Sequence, residues 1–140
     1  MTENNWPCNL RFHHTGCITR DIEASKKIYS GILGFKNISD SIYISAQNVK
    51  VCFVETAPGC FVEFVEPTVE NSFFEKLLKS KNPFYHIGLL ADDFDASIAA
   101  LTENGFYLLN TFESEAFQGR RCSFLYSNEM QLIELIEMPA

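Results

Sequence analysis

The feature that most constrains what this chain can fold into is that it repeats itself. FHHTGCITRDIEAS (residues 12 to 25) returns as FYHIGLLADDFDAS (84 to 97), matching His14 with His86, Gly16 with Gly88, Asp21 with Asp93, Ala24 with Ala96 and Ser25 with Ser97, all 72 positions apart. The copies also end alike, in GILGF (31 to 35) and ENGF (103 to 106), where Gly34 and Gly105 can take the left-handed backbone that stops a helix. Further on, FVEFVEP (61 to 67) answers LIELIEMP (132 to 139) and pairs Glu63 with Glu134. A duplicated chain of 140 residues, 46% hydrophobic, is long enough for one globular domain or for two half-domains that share a core.

Within each copy the hydrophobic period switches from two to 3.6. HTGCIT and HIGLLA read as strands, and Asp21 and Asp93 then cap helices. In the second helix Phe94, Ile98 and Leu101 form the apolar stripe; in the first, Ile28, Tyr29, Ile32 and Leu33 do so. β-rich runs follow, at 48 to 55 and 60 to 67 in the first half and at 120 to 127 and 130 to 139 in the second. These boundaries give a first module over 10–67, a linker with a short helix built on Phe73, Phe74, Leu77 and Leu78 over 68–83, and a second module over 84–138.

Side chains alternate across a strand, so register decides which polar residues share a face. Glu63 lies with Phe61 and Val65, and Glu134 with Leu132 and Ile136. An ionised carboxylate on an apolar face calls for a charge or a metal, and here the demand occurs in both repeats. His14 aligns with His86, whereas alternation puts its neighbour His13 on the other side with Thr15 and Cys17, away from any functional position. His14, Glu63, His86 and Glu134 together make the ligand set of an octahedral divalent ion with two positions left open; Ni, Co, Zn or Mn would suit it. Glu66 and Glu137 repeat as well, and are expected to be solvent-facing strand ends.

Composition narrows the partners. A net charge of -7 argues against nucleic acid and against anionic membrane surfaces, and no apolar run approaches the roughly 20 residues of a membrane span. The five cysteines, Cys8, Cys17, Cys52, Cys60 and Cys122, form no CxxC pair, and MTENNWPCNL lacks the apolar run of a signal peptide. The expectation is a reducing, cytoplasmic location with the cysteines as small core residues. Trp6 is given no role beyond anchoring the N-terminal arm. Arg120 and Arg121, in the QGRR turn, are candidates to meet a substrate carboxylate or phosphate. Phe112, Phe117 and Phe124 are candidates to line an apolar pocket.

From Phe12 to Glu137 these residues resemble the vicinal oxygen chelate superfamily, which includes glyoxalase I, methylmalonyl-CoA epimerase, extradiol dioxygenases and bleomycin resistance proteins. The resemblance implies an α+β fold of two tandem βαβββ modules whose curled, barrel-like mixed sheet surrounds a metal site, held by His14, Glu63, His86 and Glu134. The HxG openings, VKVCFVE, VEFVEP and SFFEKLLKSKNPFYH are most similar to methylmalonyl-CoA epimerase. That implies a metal-dependent isomerase or epimerase, a small-molecule acyl-CoA or thiol-adduct substrate, a homodimer, and abstraction of a proton α to a carbonyl through a metal-stabilised enolate. By the same resemblance Glu134 is the base, and Glu63 acts from the opposite face or purely as a ligand. A lactoylglutathione lyase of the glyoxalase I type is the alternative, but its glutathione-binding Arg and Asn are replaced here by Ile18 and Pro67. A metal-free binding protein of the bleomycin-resistance type is the third reading; the ligand quartet speaks against it.

Overall fold

A computed structural model describes residues 9–129 and 131–139. Trp6, Cys8 and the first residue of the run at 130 to 139 lie outside them. The first repeat forms β1 (Leu10–Ile18), α1 (Ile22–Lys26), β2 (Ile42–Ile44), β3 (Val49–Ala57) and β4 (Cys60–Pro67). A connecting helix α2 (Ser72–Lys79) leads to β5 (Phe84–Ala91), α3 (Phe94–Glu103), β6 (Phe106–Ser114), β7 (Arg120–Ser127) and β8 (Leu132–Glu137). Among the described residues the result is an α+β fold: three helices on one curled, eight-stranded mixed sheet in the order β2-β3-β4-β1-β5-β8-β7-β6. The pairs β1/β4 and β5/β8 are parallel, and the antiparallel pair β1/β5 is the seam between the repeats.

Helix starts follow the caps. The side chain of Asp21 accepts a hydrogen bond from Glu23 N, that of Asp93 from Ala96 N, and that of Asn71 from Phe74 N. On the outer face, α3 buries Phe94 and Leu101, with Ile98 half-buried, over Leu125, Ile133 and Leu135. The stripe expected in the first helix does not form. Ile28, Ile32 and Leu33 are exposed, while Ile22 and Tyr29 pack on Cys17, Cys52, Val54 and Phe64. The reason is a change of winding: from Lys27 to Ile32 the helix runs as a π-turn, closed by Leu33 N to Ile28 O at 2.9 Å, and the wider turn rotates the later residues off the sheet. Gly34 and Gly105 take positive φ after their helices, at 83° and 93°.

Glu66 and Glu137 are also more than strand ends. Glu66 Oε1 accepts from Ile22 N at the start of α1 and Oε2 pairs with Lys50, while Glu137 holds Arg121, which in turn grips Asp95 in the first turn of α3. In both repeats the last strand therefore fastens the N-terminus of its own helix to the sheet.

Opposite α1 and α3, the inner face of the curl carries an apolar cluster drawn from both repeats, including Ile18, Val51, Phe53, Val65, Phe117, Cys122 and Ile136. Phe74, Leu77 and Leu78 of α2 pack against it. Cys17, Cys52 and Cys122 are buried, and no disulfide joins the described cysteines. Burial pushes the Cys17 thiol up to about 11 and that of Cys122 higher still, which suits inert core residues.

Candidate metal centre

The strand register delivers four polar side chains to the inner face in two rows. Across one row lie Glu63 on β4, Gly16 on β1 and His86 on β5; across the other lie His14 on β1, Gly88 on β5 and Glu134 on β8. In each row a glycine separates a carboxylate from an imidazole, and the ring leans over it. A Cβ at Gly16 would sit 2.0 Å from His86 Cε1, and one at Gly88 would sit 2.0 Å from His14 Cε1. The glycines of the HxG motif are thus the floor on which the rings lie.

The four groups converge on one point. His14 Nε2 and His86 Nε2 are 3.0 Å apart. Glu134 Oε1 is 3.2 Å from His14 Nε2 and 3.7 Å from His86 Nε2, and Glu63 Oε1 is 3.5 and 3.4 Å from the same atoms. One ligand atom from each residue lies within 4.8 Å of all the others. Donors that each stand ~2.0–2.2 Å from a common ion lie roughly 3–4 Å from one another, so these separations fit a single cation. The cluster is fully buried, from 0% exposure at His14 to 4% at His86.

Its hydrogen bonding is incomplete. His14 Nε2 stands near Glu134 Oε1 but off the line a hydrogen bond needs, so that oxygen has no hydrogen-bond partner; neither has His86 Nδ1. Burial pushes the Glu63 carboxyl up to about 8 against the pull of His14, with Glu134 adding to the rise. Burial also acts on Glu134, but His14, His86 and His13 outweigh it and hold that carboxyl below its usual range. Burial lowers His86 to about 4, which leaves it neutral with a lone pair to donate. Two lone-pair donors and two carboxylates, buried and partly unpaired, match a divalent ion.

Alternation fails for His13. The β1/β5 register slips between Phe12 and His14, a β-bulge that turns His13 to the inner face as well. Its ring stacks on Phe61 at 4.8 Å, meets Phe53 and Phe117 edge-on, and brings its Nδ1 within 2.8 Å of His14 Nδ1. A second slip, between Gly16 and Cys17, makes Tyr85 the corresponding inward residue of β5. The residue missed by a strict two-residue period is therefore adjacent to His14, and the only signal for it in the sequence is the doubled histidine.

The two arginines separate. Arg120 shares the inner side of β7 with Cys122 and Phe124 and donates to Gln118 Oε1, whereas Arg121 faces α3. The Arg121 guanidinium is spent on Asp95 and Glu137 and lies 4.7 Å from the centre of the Phe94 ring. Beside the cluster is an apolar cleft of 550 Å³, lined by residues that include Phe74 and Leu77 of α2, Tyr85, Leu109, Phe124 and Leu132. Tyr85 and Phe124 touch both the cleft and the His86 ring, at 4.5 and 5.3 Å between ring centres. Phe112 stacks on Phe124, and Phe117 covers His14. Among the described residues, no helix is long and apolar enough to cross a membrane.

Comparison with known proteins gives the family and the fold. Residues 13–136 match the profile of the glyoxalase/bleomycin resistance protein/dioxygenase superfamily. The uncharacterized protein YqjC of Bacillus subtilis (strain 168) is 25% identical over 130 residues, 91% of each chain. A methylmalonyl-CoA epimerase variant from Streptomyces coelicolor, solved with 2-nitronate-propionyl-CoA, superposes with a TM-score of 0.77 at 25% identity, covering 93% of this chain and 98% of that one. The methylmalonyl-CoA epimerase of Mycobacterium tuberculosis reaches a TM-score of 0.82 over 99% of this chain and 94% of its own; at 17% identity it shows the shared fold alone.

Proposed function

The chain belongs to the glyoxalase/bleomycin resistance protein/dioxygenase superfamily, and on that footing we propose that it is a divalent-metal-dependent isomerase or epimerase acting on a carbon acid. The observation that carries this reading is the convergence of His14, Glu63, His86 and Glu134 on one buried point, with a carboxylate oxygen left unpaired. A divalent ion held by these residues, Ni, Co, Zn or Mn, would supply the positive charge that stabilises an enolate.

The chain's own groups supply the rest. Glu134, which the neighbouring histidines keep ionised, takes the proton from the carbon next to the carbonyl. Glu63, across the cluster, returns a proton to the opposite face or serves only as a ligand. Phe53, Phe117 and Phe124 keep water from the reacting carbon. Arg120, on the inner side of β7, offers a donor fork for a substrate carboxylate or phosphate, and Arg121 instead fastens α3. The cleft beside His86 takes the rest of the substrate, an acyl-CoA or another thiol adduct; the acyl-CoA ligand of the Streptomyces coelicolor relative supports the first. The reading extends to a homodimer in the cytoplasm.

The deciding experiment loads the protein with Co or Ni and follows α-proton exchange by NMR in deuterated water. Methylmalonyl-CoA, thiol hemithioacetals and small 2-substituted acids are offered in turn. Exchange of methylmalonyl-CoA supports the epimerase form and exchange of a hemithioacetal supports the lyase form. A protein that binds metal yet exchanges none of them would defeat the reading.

A further inference from the structure

We propose that His13 is a positioning residue for the metal centre. Its Nδ1 accepts the Nδ1–H of His14 and fixes the tautomer in which His14 presents a bare Nε2 to the cluster. This rests on the metal reading above. A neutral imidazole carries one N–H. His14 Nε2 faces His86 Nε2 at 3.0 Å and two carboxylate oxygens at 3.2 and 3.5 Å, where a ligand's lone pair is required. The proton must then sit on Nδ1, and at 0% exposure that donor needs an acceptor. His13 Nδ1, at 2.8 Å, provides one.

The acceptor is itself held in place. The β-bulge at His13 turns it inward, Phe61 stacks on one face, and Phe53 and Phe117 meet its ring edge-on. With Nδ1 accepting, the His13 proton lies on Nε2.

The second repeat lacks the device. Tyr85 stands 72 positions after His13 in a matching bulge, and His86 Nδ1 is buried with no hydrogen-bond partner. The duplication therefore gives two imidazoles of unequal standing: His14 is orientated from behind, and His86 has at its back no hydrogen bond but Gly16 beneath it and the rings around it.

Two substitutions separate the acceptor from the packing. His13→Phe keeps a ring on Phe61 but removes the acceptor, while His13→Asn places an amide oxygen where Nδ1 was. The readouts are Co(II) affinity by competition with a chromophoric chelator and the visible spectrum of bound Co(II). The Phe variant should bind Co(II) about 10- to 100-fold more weakly with an altered spectrum, as loss of a partner behind a ligating histidine does, and the Asn variant should regain most of the loss. Unchanged affinity and spectrum in the Phe variant would overturn the assignment. Should that variant fail to fold, 15N NMR of the zinc-loaded unaltered protein decides. It should show His13 protonated on Nε2 and bare on Nδ1, with a nitrogen–nitrogen coupling across to His14 Nδ1; a proton on His13 Nδ1, or no coupling, overturns the assignment. If the unaltered protein takes up no divalent ion, the metal reading itself falls, a result distinct from normal uptake by the Phe variant.

Discussion

At the scale of single residues, the glycines under the histidines carry the sharpest expectation. Gly16→Ala or Gly88→Ala puts a methyl group where a ring now lies, and the contact of 2.0 Å forces the imidazole off the cluster. Each variant should lose stability by roughly 1–3 kcal/mol in urea titration, as overpacked sites do, and lose the Co(II) absorption together with it. Glu134→Gln tests the chemistry instead. It preserves shape, so the protein should fold and keep much of its metal, while exchange of the substrate α-proton falls by about 10²–10⁴-fold; exchange at the original rate would remove Glu134 as base. The sequence brought these four residues into view because the duplication fixes register: residues at matching positions of two copies fall on matching faces. His13 escaped that logic because a bulge breaks the alternation, and a two-residue period carries no mark of where a strand gains an extra residue.

At the scale of elements, the helices are fastened by ion pairs as well as by apolar contact. Arg121 joins Asp95 in the first turn of α3 to Glu137 on β8, and both carboxyls are held below their usual range chiefly by their hydrogen bonds to that guanidinium. A depressed carboxyl pKa contributes stability above the ordinary carboxylate range and loses it as pH falls through the lowered value. The protection of amides in the first turn of α3, taken relative to each amide's intrinsic exchange rate at the same pH, should therefore fall between pH 7 and about pH 3 in the native protein, modestly because the pair is exposed, and Arg121→Gln should remove most of that pH dependence. Identical pH profiles in the two proteins would show the contact to be incidental. The stripe in α3 was readable because the helix keeps its 3.6 period, whereas the stripe in the first helix was not, since the π-turn from Lys27 alters the count. β2 and β6, the edges of the sheet, lie outside the runs the sequence marks. Most of β6 is exposed, so no alternation between a dry and a wet side is written into it.

At the scale of the whole molecule, one ion would join β1, β4, β5 and β8, strands from both repeats. Saturation with Zn or Co should raise Tm, by on the order of 10 °C where the free ion exceeds its Kd about 100-fold, since such binding is worth about 2.7 kcal/mol. A chelator should reverse the rise, and a Tm indifferent to both would count against the centre. The architecture was legible because repetition, unlike local propensity, constrains global arrangement. The cleft was not, because α2, β5, β6, β7 and β8 each contribute between one and three side chains that only folding brings together. The seam has one more consequence. Each imidazole rests on a glycine of the opposite repeat and points to that repeat's carboxylate, His14 to Glu134 and His86 to Glu63. Neither half owns a finished binding pocket, so a chain shortened to one repeat would have to borrow its missing wall from a twin, and separately expressed halves should capture a cation only after they have found each other.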